Sequence, residues 1–170
     1  MKYVFCLSSM VWLLCASPVM AHKFSTAYMD VTEQQGQPVL LWKVALHDLA
    51  QVGLIQAKNN HQVSWQQVLD SEPQLQAYIS QRLSFSSAAG ICSIQTIAAD
   101  WLVKREQRDT YLILPLQVSC DSSEGWQLSY RALFDSEHSH KLLLSWKLSQ
   151  DKVDSVLSAK KMVFPVVMPD

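Results

Sequence analysis

From residue 83 onward the apolar residues of this chain come in short runs broken by turn signals, and that rhythm limits the possible folds more than any other feature. The runs lie near 83–87, 91–98, 100–105, 110–119, 126–134, 140–148 and 160–167, with turn residues at Ala89-Gly90, Arg108-Asp109 and 122–125. Runs of this length bounded by Gly, Asp and Ser read as strands. In Gln127-Leu128-Ser129-Tyr130-Arg131-Ala132 polar and apolar residues alternate, as the two faces of a half-buried strand require. Two more strands precede them, at 24–33 and 38–47, separated by Glu33-Gln34-Gln35-Gly36-Gln37; the second sets Leu40, Trp42, Val44 and Leu46 on one face. Many short strands at this spacing predict a mainly β chain, an antiparallel β-sandwich-like domain.

Residues 48–82 interrupt the strand pattern. Ser64-Trp65-Gln66-Gln67 and Ser71-Glu72-Pro73-Gln74 each match a capping box, in which a serine hydroxyl and a later glutamine satisfy orphan helix amides. Two short helices are predicted to follow, about 65–70 and 72–82, the second with Leu75, Tyr78, Ile79 and Leu83 at helical spacing.

The N-terminus has the three parts of a cleavable signal peptide. Met1-Lys2 is the basic region, an apolar stretch runs to Ala16, and Val19-Met20-Ala21 is a small-residue cleavage site. The apolar stretch is shorter than the roughly 20 residues a spanning helix needs. The expected organisation is therefore a signal peptide at 1–21 and a single periplasmic or secreted β-rich domain at 22–170, with the helical insertion inside it. Nothing after the signal predicts a membrane span. Cys6 and Cys15 leave with the signal, and the remaining pair, Cys92 and Cys120, is expected to form a disulfide in an oxidising compartment. A closed loop of about 29 residues would gain roughly 3.5 kcal/mol from chain entropy.

Charge excludes some partners. Removing Lys2 reduces the 14 basic residues to 13 against 15 acidic, with no run of either sign, so nucleic acid is not an expected partner. There is no G-x-S-x-G elbow, H-E-x-x-H pair, phosphate loop or dinucleotide fingerprint, and no catalytic residue or organic cofactor is predicted. His47-Asp48 beside a distant serine would need triad geometry that adjacency in sequence does not supply.

Several stretches together resemble a known family. They are Ala21-His22-Lys23-Phe24-Ser25, Trp42-Lys43-Val44-Ala45-Leu46-His47-Asp48-Leu49, the Cys92/Cys120 pair, and Leu133-Phe134-Asp135 followed by His140-Lys141-Leu142-Leu143. They look like the extracytoplasmic N-terminal domain of HupE/UreJ-type membrane proteins, associated with nickel uptake. In that family membrane helices follow the domain, whereas this chain stops at Asp170, so the resemblance implies a non-enzymatic interaction or sensing module acting beside a separate HupE/UreJ-type membrane protein. It also implies an EF-hand-like loop at 56–67. Gln56, Lys58 and Asn60 occupy the first ligand positions, His61 the glycine position, Ser64 position 9 and Gln67 the position of the bidentate glutamate. With every carboxylate gone, calcium is not expected to bind.

The histidines carry the alternative, a soluble periplasmic metal-binding protein. Cleavage after Ala21 makes His22 the mature N-terminus, where α-amine and imidazole together can chelate copper or nickel. His138 and His140 would point to one side of an extended segment near Asp135 and Glu137, and His47 ends a strand. The predicted metal ligands are therefore His22 with His138, His140 or His47.

Overall fold

The computed structural model describes residues 25–57, 63–107, 109–135, 139–148 and 152–165. Strands β1 (Thr26–Gln34) and β2 (Gln37–Ala45) form the expected hairpin, with Val31 opposite Leu40 and Met29 opposite Trp42. Their two-residue turn needs left-handed backbone, which Gln35 and Gly36 adopt at φ 53° and 78°. Helices α1 (Leu46–Gln51), α2 (Trp65–Asp70) and α3 (Glu72–Arg82) follow. Next come β3 (Leu83–Ser87), β4 (Gly90–Ile91), β5 (Ser93–Thr96), β6 (Leu102–Glu106) and β7 (Asp109–Ser119). The chain continues through β8 (Gln127–Tyr130), β9 (Lys141–Lys147), β10 (Val153–Leu157) and β11 (Val163–Phe164).

These strands make two facing sheets. One has seven strands in the order β10-β9-β1-β2-β7-β5, with β6 also on β7; the other has four, β11-β8-β3-β4. The core lies between them. Phe85 of the smaller sheet stacks on Trp146 of the larger at 5.8 Å between ring centroids, and Tyr130 meets Trp42 edge-on at 6.2 Å. The period-2 pattern explains why: Leu40, Trp42 and Val44 on β2 and Leu112, Leu114 and Leu116 on β7 are fully buried on one face. Where the chain crosses from β4 in one sheet to β5 in the other, Cys92 is bonded to Cys120 at the end of β7, with Cα atoms 4.6 Å apart. Gln37 clasps the same corner, accepting from the Cys120 amide at 2.8 Å and donating to its carbonyl at 3.3 Å.

The mainly β sandwich expectation is met, with corrections in detail. The larger sheet is mixed, because β9 runs parallel to β1. Both strands start at the same end, where the Lys141 amide donates to the Ser25 carbonyl at 3.1 Å. Leu46 and His47 belong to α1, so His47-Asp48 opens a helix instead of ending a strand. The capping box at Ser64 forms, but the one at Ser71 does not: Ser71 sits at φ −86° and ψ 0°, still coiled with α2, and its hydroxyl donates back to the Val68 carbonyl at 2.6 Å. The strand expected at 126–134 ends at Tyr130, and Ala132–Asp135 turn instead. No strand was expected where β10 lies.

Candidate functional site

The described histidines lead to one end of the sandwich, where β1, α1, β8 and β9 converge. Ser25 precedes β1, Asp48 stands in the first turn of α1, Tyr130 ends β8 and His140 precedes β9. A carboxylate suits that helical position, near the positive end of the peptide dipoles. All four side chains are buried, Asp48 at 4% exposure and His140 at 0%.

They form one hydrogen-bonded line. Ser25 Oγ donates to Asp48 Oδ2 at 2.7 Å and lies 2.5 Å from His140 Nδ1; His140 Nε2 is 3.2 Å from the Tyr130 hydroxyl. At the outer end His47 Nε2 approaches Asp48 Oδ1 at 2.8 Å, with the His47 side chain half exposed. Counting donors assigns the hydrogens. An ionised carboxylate only accepts, so the Ser25 hydrogen goes to Asp48 and the Ser25 oxygen must accept Nδ1–H from His140. Burial, above all, holds the Tyr130 hydroxyl well above its ordinary pKa, so the phenol keeps its proton and donates it to Nε2. Every hydrogen in the line then points toward Asp48.

Burial by itself would raise the pKa of Asp48. The hydrogen bonds from His47 and Ser25, with the electrostatic influence of His47 and His140, outweigh it and hold the group below its usual value. His140 is boxed by aromatic rings, near-parallel to Tyr130 at 6.2 Å and tilted against Phe134 at 5.7 Å. The buried indole N–H of Trp42 faces the same phenol but falls outside hydrogen-bond geometry.

This line is not arranged as a hydrolase triad, in which the carboxylate orients the imidazole and the serine faces substrate. Here the serine stands between ring and carboxylate with its hydrogen already given to Asp48. Chemically the line is a clasp: it pins the start of β1 to α1 and β9.

Of the predicted metal ligands, His22 and His138 lie outside the described residues. His47 and His140 are both joined to this line, through Asp48 and through Ser25 and Tyr130. Asp135 is ion-paired with Arg82. Among the described residues no three His, Cys, Asp or Glu side chains gather as a metal site would require. In the 56–67 loop, Lys58, Asn60 and His61 lie outside the described residues. Its ends are joined through Gln67, whose Nε2 donates to the Gln56 carbonyl at 2.5 Å while its Oε1 accepts the Ser64 amide at 2.9 Å.

A second feature lies on the solvent side of the larger sheet. Register aligns Val156, Leu143, Tyr28, Lys43, Ile113 and Leu102 in one row across six strands, all on the face opposite the core. Leu102 is 62% exposed, Val156 48% and Leu143 39%, with Leu41 adding 39% from the next row. The only charge in the row is folded into it: the Lys43 ammonium sits 4.2 Å over the Tyr28 ring and 5.0 Å from that of Tyr111, and bonds Glu106 at 2.9 Å. Burial first, then nearby Tyr28 and acidic neighbours, push the Tyr111 hydroxyl up to about 12. A groove of about 720 Å³ opens at the β9–β10 end of this face, lined among others by Tyr28, Leu143 and Val156. Sequence reasoning missed the row because its members are spread over six strands, and only the pairing register lines them up.

Among the described residues no helix is long and apolar enough to cross a membrane. Compared with family models and with curated proteins, the chain matches none.

Proposed function

We propose that this chain is an exported, non-enzymatic interaction module that docks through the outer face of its seven-stranded sheet, in the periplasm, beside a separate membrane protein of the HupE/UreJ type. The observation that carries this reading is the apolar row. Exposed Val156 and Leu143 at one end of the row and exposed Leu102 at the other, joined by the half-buried Tyr28, Lys43 and Ile113, make a broad, weakly charged surface suited to a partner. The clasp at Ser25 fits the same role, since Ser25, Asp48, Tyr130 and His140 are buried and spend their polar groups on one another, holding the sandwich together. The Cys92–Cys120 bond is compatible with an oxidising compartment. A photo-crosslinking residue placed in living cells at Leu41, Leu102 or Leu143 should give a discrete adduct, and one on α3 at Gln81 should not. No adduct from any outer-face position, or equal adducts from Gln81, would overturn the reading.

One observation favours the metal-handling alternative. The clasp pins Ser25 beside Asp48, whose neighbour His47 is half exposed, and His22 precedes Ser25 by three residues. Copper and nickel affinity of protein beginning at His22, compared with protein carrying one extra residue ahead of it, decides the matter; equal affinities rule the terminal chelate out.

A further inference from the structure

Strand β6 ends the larger sheet on the side of β7, and among the described residues it pairs with β7 alone. Its outer backbone edge is therefore open to another strand. Beside that edge lies a slot of about 360 Å³ whose floor is the buried Leu46, Val68 and Trp101 and whose walls are Trp65 and Val103, each 44% exposed. Val103 faces the slot on the inner side of β6, and Arg105, two residues on, shares that side; Leu102 and Lys104 face outward. The edge thus offers, in order, two apolar positions and two cationic ones, all exposed, with Lys104 also ion-paired to Glu106 at 3.0 Å and Arg105 carrying the charge on the slot side.

Resting on the interaction-module reading above, we propose that β6 binds an extended segment of a partner protein as an added antiparallel strand, the segment reading acidic-acidic-apolar-apolar from its N-terminal side. Antiparallel addition sets these residues opposite Arg105, Lys104, Val103 and Leu102. The third residue's side chain enters the slot against Trp65, and the first two meet opposite charges across the strand pair. Charge chooses the occupant. Pairing two copies through the middle of β6 sets Lys104 against Lys104, a like-charge contact that disfavours a dimer. Nor can a segment of this chain serve, because no two acidic residues are adjacent anywhere in its 170 residues.

The test uses mature protein and a fluorescent synthetic peptide with a Thr-Glu-Asp-Val-Leu-Thr core, read by anisotropy. Saturable binding is expected, weakened about tenfold or more by reversing the order of the core, and by Lys104→Glu with Arg105→Glu. A Lys-Lys-Val-Leu core should restore binding to that double variant. Trp65→Ala, at an exposed position, should weaken binding of the original peptide without changing the melting temperature appreciably. Absence of saturable binding, indifference to the charge reversal, or a β6-mediated dimer in sedimentation that Leu102→Lys abolishes would each overturn the proposal. If crosslinks from Leu41 and Leu143, which lie away from β6, persist while the peptide fails, this site alone falls; if the peptide binds and those crosslinks are absent, the outer-face reading falls instead.

Discussion

Replacing Ser25 with alanine removes the one hydroxyl that joins Asp48 to His140. The substitution makes no large cavity, so the loss is almost purely polar. Asp48 loses one of its two side-chain donors, and His140 Nδ1–H loses its acceptor in a fully buried aromatic box. Each buried orphan costs about 1–3 kcal/mol, with the charged group toward the upper end, so the variant should lose about 3 kcal/mol. At roughly 2–4 °C per kcal/mol for a domain of this size, the melting temperature falls by about 6–12 °C. The effect has a pH signature. The folded-state pKa of Asp48 lies below its unfolded value, so the stability it contributes is complete above about pH 4 and is lost as pH falls through the lower folded value. Urea unfolding of parent and variant should therefore show a gap at neutral pH that narrows in acid, with unchanged m-values. A difference under about 0.5 kcal/mol, or a gap of constant size from neutral pH to about pH 3, would refute the donor line. A cycle with Asp48→Asn should return a coupling energy above about 0.5 kcal/mol, since the two groups touch.

The other predictions are simpler. Thiol labelling under denaturing conditions should find no reactive cysteine in the mature protein, and Cys92→Ser with Cys120→Ser should cost about 3.5 kcal/mol of stability; two reactive thiols per chain would contradict the bond. Calorimetry with millimolar calcium should give no heat from the 56–67 loop, whose last ligand position is occupied by Gln67 clasped to Gln56; a calcium site abolished by Gln67→Ala would disprove this. An ultraviolet titration comparing the parent with Tyr111→Phe should assign to Tyr111 a phenol that ionises near pH 12, and ionisation near the ordinary value of 10 would remove the packed Tyr28–Lys43–Tyr111 cluster from the outer face.

Local pattern made much of the sandwich legible. Strand β2 could be read from Leu40, Trp42 and Val44 because strict alternation survives wherever one face is buried, and α3 from Leu75 and Ile79 for the corresponding helical reason. Strand β10 could not: it lies at a sheet edge with Val153, Asp154 and Val156 all exposed, so its sequence carries no alternation to read. The parallel pairing of β1 with β9 was equally hidden, since it depends on contacts between Ser25 and residues more than a hundred positions away. His140 stood out in the sequence as a chelating residue beside His138. Its burial among Tyr130, Phe134 and Ser25 is a property of three strand ends meeting, which no spacing within 138–140 could reveal.

Whether the outer face is covered in the cell is the question on which the functional reading stands. Carbene footprinting answers it directly, comparing labelling of Leu41, Leu102, Leu143 and Val156 in intact cells with labelling of the purified protein. Docking through the sheet face predicts that these four side chains label strongly in the purified protein and are protected in cells, while the exposed Gln81 of α3 labels equally in both. Equal labelling of all five positions in cells and in purified protein would contradict it.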